Sequence, residues 1–278
     1  MREEEIKKAV RDRYADIVTK SGNCCLPSAS SCCGGDRTVE TISRDIGYRT
    51  EDLEAVPEGA NLGLGCGNPV ALASLREGET VVDLGAGAGF DCFLAAREVG
   101  KNGRVIGVDM TPAMLDKARE NAKKGGYDNV EFRLGEIENL PVADNTADII
   151  ISNCVINLSP DKRRVFQEAF RVLKPSGRLM VSDIVLLKEL PAALKESIDA
   201  YVGCIAGAVM KDDYLDAMNE AGFQEVRIID ETLFPVKDFI GYANALEIVE
   251  CTDALMEMAR ELGTAISSIK VHAVKRKP

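Results

Sequence analysis

Apolar residues recur at a helical spacing at the start of the chain and give way to short apolar runs further on. Residues 3–20 place Ile6, Val10 and Tyr14 on one face with charged residues between them, which predicts one amphipathic helix. Later apolar runs predict strands at 80–84, 104–108, 130–134, 147–152 and 178–187. Helical patterns fill the intervals at 90–99, 112–124 and 162–173. Strands that alternate with helices predict an α/β fold, with a mostly parallel sheet and helices on both faces.

The segments outside this core are less regular. Residues 36–60 are mixed and polar, and we expect irregular structure with one short helix there. After residue 190 the pattern predicts strands at about 225–230 and 268–274, and helices at about 192–202, 212–221, 237–247 and 253–262. We therefore divide the chain into an N-terminal helix with a cysteine-rich arm (1–55), an α/β core (56–190) and a C-terminal α+β part (191–278).

The charge and hydropathy of the chain restrict its partners and its location. A formal net charge of −11 makes nucleic acid a poor partner, because an acidic surface repels phosphate backbones. No apolar run approaches the length of a membrane span, and residues 1–14 are too charged for a secretory signal. We expect a cytoplasmic protein that acts on a small molecule, with neither a nucleic acid nor a membrane as partner.

The chain contains nine cysteines but a single histidine, His272. In a reducing compartment structural disulfides are not expected, so the cysteines favour soft-metal binding or redox chemistry. One histidine excludes a zinc site that uses two histidine ligands. His272 lies in an alternating stretch and is predicted to be an ordinary strand residue.

A glycine-rich segment follows the first predicted strand of the core. Gly85, Gly87 and Gly89 have G-x-G-x-G spacing, which differs from the dinucleotide-binding spacing because Phe90 stands where the third glycine belongs. Such a turn lets the backbone approach a ligand and points helix N–H groups at it. Asp109 ends the second strand, where a carboxylate can accept hydrogen bonds from ribose hydroxyls. The two features together predict a site for a nucleoside-containing ligand.

These segments and others along the core resemble the sequence motifs of the class I methyltransferases. The resemblance covers about residues 60–190 and rests on 83–89, 107–110, 135–141, 148–153 and 171–178. It implies a Rossmann-like, mostly parallel seven-stranded sheet that binds S-adenosyl-L-methionine as cofactor. The implied cofactor-binding residues are Asp83, Gly85, Ala86, Gly87, Asp109, Met110, Glu136, Ile137 and Asn153.

Three cysteines are placed so that they can meet at one edge of the predicted sheet. Cys66 precedes the first core strand, Cys154 follows the fourth, and Cys204 follows the fifth. Ligands of open α/β sheets bind at the carboxyl ends of the strands. Three thiolates without a fourth ligand suit a soft pyramidal centre with a lone pair better than tetrahedral zinc. The alternative is that each is a small buried hydrophobic residue, an interpretation that we favour for Cys92 and Cys251.

The surroundings of these three cysteines resemble the cysteine motifs of the arsenite methyltransferases, in that family's order. The matching segments are 61–69, 152–158 and 203–208. The resemblance implies that Cys66, Cys154 and Cys204 bind As(III), whose lone pair attacks the sulfonium methyl group in line. It also implies arsenite and methylated arsenicals as substrates, and a thiol reductant, thioredoxin or glutathione, as a partner.

Two cysteine pairs near the N-terminus, Cys24-Cys25 and Cys32-Cys33, are similar to pairs in microbial members of that family. They are compatible with an arm that captures arsenite, with a redox-active pair, and with a structural zinc site. Adjacent cysteines lack the C-x₂-C spacing that most zinc sites use.

Two other functions are compatible with the sequence. A small-molecule (quinone-type) C-methyltransferase would share the core motifs, and its three cysteines would be dispensable. A non-catalytic thiol-metal binding protein would bind metal without turnover, although the intact glycine loop and Asp109 argue against it. The lack of a candidate histidine base favours arsenic, because O- and N-methyltransferases more often use one.

Overall fold

The computed structural model of the chain describes residues 2–20, 38–190, 206–233 and 265–277. Within these ranges the helices are α1 (Glu3–Lys20), α2 (Val39–Asp45), α3 (Thr50–Glu54), α4 (Pro69–Leu72), α5 (Phe90–Val99), α6 (Pro112–Gly125), α7 (Lys162–Val172) and α8 (Lys211–Glu220), with a 3₁₀ turn at Ile156–Leu158. The strands are β1 (Thr80–Leu84), β2 (Arg104–Asp109), β3 (Val130–Leu134), β4 (Ala147–Asn153), β5 (Leu173–Leu186), β6 (Gln224–Leu233) and β7 (Ile266–Val274).

These seven strands form one sheet in the order β3-β2-β1-β4-β5-β7-β6. The first five strands pair in parallel, whereas β7 runs antiparallel to both β5 and β6. The predicted mostly parallel, seven-stranded sheet is therefore confirmed. Strand order changes direction between β1 and β4, and the loops that leave these two strands border a crevice at their carboxyl ends.

The strands β1, β2, β4 and β5 are largely buried because helices cover both faces of the central sheet, whereas β6 at the edge is mostly exposed. Neighbouring residues of one strand enter opposite cores. Val82 of β1 lies in a cluster with Phe166 of α7 and Tyr214 of α8. Val81, the residue before it, lies in the other cluster with Phe93 of α5. This burial on both sides fixes the register of β1 and thereby the position of the loop that follows it.

Some boundaries differ from those expected. Strand β5 begins at Leu173 rather than at residue 178, because Leu173 already pairs with Ala147 at the start of β4. Residues 36–60 hold two short helices, α2 and α3, instead of one. The unexpected α4 starts with Pro69, and the Asn68 side chain accepts a hydrogen bond from the backbone of its first turn. The helices predicted at 192–202, 237–247 and 253–262 lie outside the described residues.

Helix α1 has the predicted bounds and packs over the carboxyl-end edge of the sheet. Its Val10 is buried in a cluster that contains Cys66 and Cys154. Lys7 of α1 forms ion pairs with Glu136 at 2.7 Å and with Glu138 at 3.2 Å, in the segment after β3. In the part of the chain that the structure describes, no helix combines the length and apolar character needed to cross a bilayer.

Candidate active site

The loop after β1 forms a cradle with one open side. Gly85 and Gly87 have φ angles of 70° and 51°, in the left-handed region that favours glycine. A Cβ on Gly85 would overlap the side chain of Val155. On Gly87, by contrast, the nearest atom to an added Cβ is the sulfur of Met114, 4.0 Å away. The backbone of Gly87 therefore borders open space that a ligand can enter.

Asp109 stands at the end of β2, directly beside this cradle. Its carboxylate accepts hydrogen bonds from the backbone N–H of Gly87 at 3.0 Å and of Thr111 at 2.8 Å. Burial raises the pKa of Asp109, and the backbone donors of Thr111 and Gly87 oppose that rise. The loop after β1 and the end of β2 are thus in contact, as expected for neighbouring parallel strands whose carboxyl ends lie at the same edge of the sheet.

A cavity lies between the glycine loop and residues 60–65. Five of the predicted cofactor residues line it, namely Asp83, Gly85, Ala86, Gly87 and Asn153. Tyr48 and Asp91 line it as well, although sequence reasoning did not select them.

Three of the predicted cofactor residues lie elsewhere on the same edge of the sheet. Met110 packs against the cluster that contains Cys66 and Cys154. Ile137 is buried in the main core, and Glu136 forms the ion pair with Lys7 described above. In the structure these residues therefore have packing and ion-pair partners of their own.

Two carboxylates are buried below the glycine loop. Burial and the neighbouring Asp91 raise the pKa of Asp83 well above its usual range. Burial raises the pKa of Asp91 to about 6, and hydrogen bonds from Tyr48 and Asn153 oppose that rise. Cys92 is a buried free cysteine, as expected, and its thiol lies 3.1 Å from the Asp83 carboxylate, to which it donates.

Asn153, the last residue of β4, connects the cavity with the loop that carries Cys66. Its side-chain oxygen accepts a hydrogen bond from the backbone N–H of Cys66 at 3.0 Å. Its side-chain nitrogen contacts the Tyr48 hydroxyl at 2.9 Å, the Gly67 carbonyl at 2.8 Å and the Asp91 carboxylate at 3.0 Å. One amide therefore links the wall of the cavity to the backbone of the first predicted arsenic ligand.

The structure brings Cys66 and Cys154 together, and a disulfide joins them. Their Cα atoms are 5.8 Å apart, within the usual range for such a bond. The expectation that the chain has no structural disulfide is not met here, because the Cys66 loop is hydrogen-bonded to the end of β4 and brings Cys66 next to Cys154. Cys154 has a φ angle of 58°, an uncommon value outside glycine that costs about 1–3 kcal/mol.

The glycines on either side of Cys66 are explained by close packing. A Cβ on Gly65 would lie 2.6 Å from the side-chain nitrogen of Asn153, and a Cβ on Gly67 would overlap the Ser182 side chain. These small residues therefore let the loop approach β4 and β5 closely.

Asp183 of β5 is a buried carboxylate that sequence reasoning missed. One of its oxygens and the sulfurs of Cys66 and Cys154 all lie within 4.8 Å of one another. Burial raises the pKa of Asp183 to about 7, against the backbone hydrogen bond from Ile184 and other polar contacts. The available signal was an acidic residue in the middle of the apolar run 179–186, since an unpaired charge is costly inside a sheet.

The third predicted arsenic ligand, Cys204, lies outside the described residues. So do Cys251 and the paired cysteines of the arm, Cys24, Cys25, Cys32 and Cys33.

Comparison with known proteins gives a methyltransferase domain family that matches residues 75–222. An arsenite methyltransferase of Halobacterium salinarum is 51% identical over 231 residues, which cover 81% of this chain and 59% of that protein. One of Mus musculus is 31% identical and shares 92% of this chain and 69% of its own length. The chain thus spans about three fifths of the length of the first of these relatives.

A solved structure agrees with these relatives. The X-ray structure of an arsenic(III) S-adenosylmethionine methyltransferase from Chlamydomonas reinhardtii matches with a TM-score of 0.64 and 34% sequence identity. The match covers 85% of this chain and 73% of that one.

Proposed function

Because the chain belongs to the arsenite methyltransferase family, we propose that it transfers the methyl group of S-adenosyl-L-methionine to trivalent arsenic. Arsenite and its methylated products are the substrates of this proposal. The relatives that carry the name match more than four fifths of the chain, well beyond the core motifs that all methyltransferases share.

The observation that carries the proposal is the pairing of Cys66 with Cys154 beside the candidate cofactor cavity. Both side chains are buried, and both belong to elements that contact Asn153 or follow it directly in sequence. Two sulfur atoms so placed suit a soft thiophilic centre. Cys204 is the third thiolate of the proposed site.

The residues around the glycine loop fit S-adenosyl-L-methionine. The open face of Gly87 leaves space that a Cβ would fill, and the Asp109 carboxylate stands beside it at hydrogen-bonding distance from the loop. Asp109 would accept hydrogen bonds from the ribose, while Gly85 and Gly87 border the methionine end. When bound, the cofactor supplies an electrophilic methyl group, and the protein supplies orientation and a dry pocket.

Cys66 and Cys154 must be thiols before they can bind arsenic, and they are joined as a disulfide in the structure. Reduction adds two electrons and two protons, and the sulfurs are then free to replace hydroxyl groups on arsenite. We therefore include a thiol reductant, thioredoxin or glutathione, as a partner of the proposed reaction.

The decisive experiment incubates the purified protein with arsenite, S-adenosyl-L-methionine and a thiol reductant, and separates the arsenic species by chromatography with elemental detection. Methylated arsenicals should form only when all three additions are present. Absence of methylated arsenic from a folded protein that binds the cofactor would contradict the proposal. A quinone-type methyltransferase would instead methylate a quinol analogue and tolerate the loss of Cys66 and Cys154.

A further inference from the structure

Asp183 is the one buried carboxylate, among the described residues, that faces the sulfurs of Cys66 and Cys154. It is fully buried in β5, and a carboxylate oxygen lies within 4.8 Å of each sulfur. Neither the cofactor cavity nor the thiolate ligands of the proposed site require an acidic group at this position. Its presence in the interior of an apolar strand therefore needs an explanation.

The contacts of Asp183 favour a carboxylate that carries its charge. Asn157 Nδ2 donates to it at 2.8 Å, the Ile184 backbone N–H at 2.9 Å and the Tyr214 hydroxyl at 3.1 Å. All three donors are neutral, so they orient the carboxylate and stabilise its ionised form, which the positive charge of Lys162 favours as well. The negative charge therefore remains available to the space where the sulfurs meet.

Methyl transfer to arsenic moves a positive charge as well as a carbon atom. The arsenic lone pair forms the As–C bond, while the C–S bond of the sulfonium breaks and its electron pair stays on sulfur. The sulfur becomes a neutral thioether, and arsenic passes formally from the trivalent to the pentavalent state. An arsenic centre held by three thiolates is neutral before this step and carries one positive charge after it.

We propose that the Asp183 carboxylate stabilises the positive charge that develops on arsenic during methyl transfer, an inference that rests on the proposed function. A charge fixed in place before the reaction acts strongly in a buried site, because little reorganisation is needed and water does not screen it. Asp183 thus favours the methylated, cationic arsenic centre over the neutral centre that precedes it.

The substitution Asp183→Asn tests this role, because it removes the charge and keeps the shape of the side chain. Its side-chain oxygen can still accept the hydrogen bonds from Asn157 and Ile184, and its amide can donate to the Tyr214 hydroxyl. The matched control Tyr214→Phe removes one hydrogen bond from the carboxylate and leaves its charge in place.

Three measurements are made on the full chain in its reduced form: the single-turnover rate of methylation with saturating arsenite, the arsenite affinity after gel filtration, and the cofactor affinity by calorimetry. Asp183→Asn should lower the single-turnover rate by about 100-fold, as the loss of one preorganised electrostatic group does elsewhere. Its two affinities, and the rate of Tyr214→Phe, should stay within about threefold of wild type.

Each other outcome overturns the inference in a recognisable way. An unchanged rate in Asp183→Asn would show that the charge has no role in the step. A lower arsenite affinity with an unchanged saturating rate would make Asp183 a group that positions the thiols. Equal losses in Asp183→Asn and Tyr214→Phe, with lower melting temperatures, would indicate a structural role. A wild-type protein that binds arsenite without methylating it would instead contradict the proposed function itself.

Discussion

The cofactor side and the acceptor side of the candidate active site are built from different kinds of chemical group. On the cofactor side, the loop after β1 and the end of β2 present backbone N–H groups and a strand-end carboxylate, and Gly87 leaves a face open. On the acceptor side, the end of β4 and the loop at 61–69 present sulfur atoms, with Asp183 beneath them. In the proposed function, cofactor binding therefore depends on the shape of the backbone, whereas the choice of acceptor depends on single side-chain atoms.

The largest effect is expected on the acceptor side alone. Cys154→Ser should lower methylation of inorganic arsenite by at least about 1,000-fold, because a hydroxyl is a much harder donor than a thiolate. Cofactor affinity in calorimetry should be unchanged. The control Cys92→Ser replaces the free cysteine among the described residues, keeps a donor to Asp83, and should retain activity. Weakened cofactor binding in Cys154→Ser would show that the two sides are not separate.

The reverse experiment changes the cofactor side alone. Gly87→Val should weaken cofactor binding by about 100-fold, because its side chain enters the open face of the cradle. Arsenite binding by the reduced protein should be unaffected. Gly126→Val is the matched control, since Gly126 also has a left-handed φ angle, 67°, and an added Cβ there meets no atom within 4 Å. Equal losses of affinity in both variants would mean that strain, not the cradle, is responsible.

Asn153 contacts both the cofactor side and the acceptor side, so its substitution should affect both. Its amide bonds both to the backbone of Cys66 and to Asp91 in the cofactor cavity. Asn153→Ala should therefore weaken cofactor binding and slow methylation together, each by about tenfold. Asn129→Ala serves as control, because the Asn129 amide donates to two backbone carbonyls, of Ala96 and Gly100, and does not line the cavity. Loss on one side only would show that the hydrogen bonds of Asn153 do not couple the sides.

The smallest effect concerns stability and the buried acid Asp91. Its pKa rises from 3.8 in the unfolded chain to about 6 in the folded protein because of burial. The folded state thus holds a proton more tightly, and this contribution to stability is lost as the pH rises from about 4 to 6. In urea unfolding across this range, wild type should lose stability relative to Asp91→Asn. A difference that does not vary with pH would contradict the assignment of a raised pKa.

The difference between the cofactor side and the acceptor side also explains how much of the molecule could be predicted from its sequence. The glycine spacing and the acid at Asp109 identify a cradle, because they follow and end consecutive strands whose carboxyl ends meet at one edge of the sheet. Cys66 and Cys154 could be selected for their place relative to the strands. Their direct contact could not, since it follows from how closely the loop at 61–69 approaches β4.

The missed residues share a physical reason. Tyr48 lies in the irregular stretch before the core, and its contact with Asp91 spans 43 residues of sequence. Asp183 stands beside the two sulfurs only because β5 pairs with β4 in one register, with Ser182 opposite Asn153. No local pattern encodes such contacts, although an acid within an apolar strand marks a position to inspect.

The left-handed backbone of Cys154 has a consequence for the evolution of this site. A φ angle of 58° is readily adopted by glycine, less readily by asparagine, and with strain by β-branched residues. A lineage that exchanged arsenic for a carbon acceptor would have no use for the sulfur but would keep the turn. Its descendants should therefore carry glycine or asparagine after β4 in place of valine or isoleucine, leaving the loss of the thiol visible in the sequence.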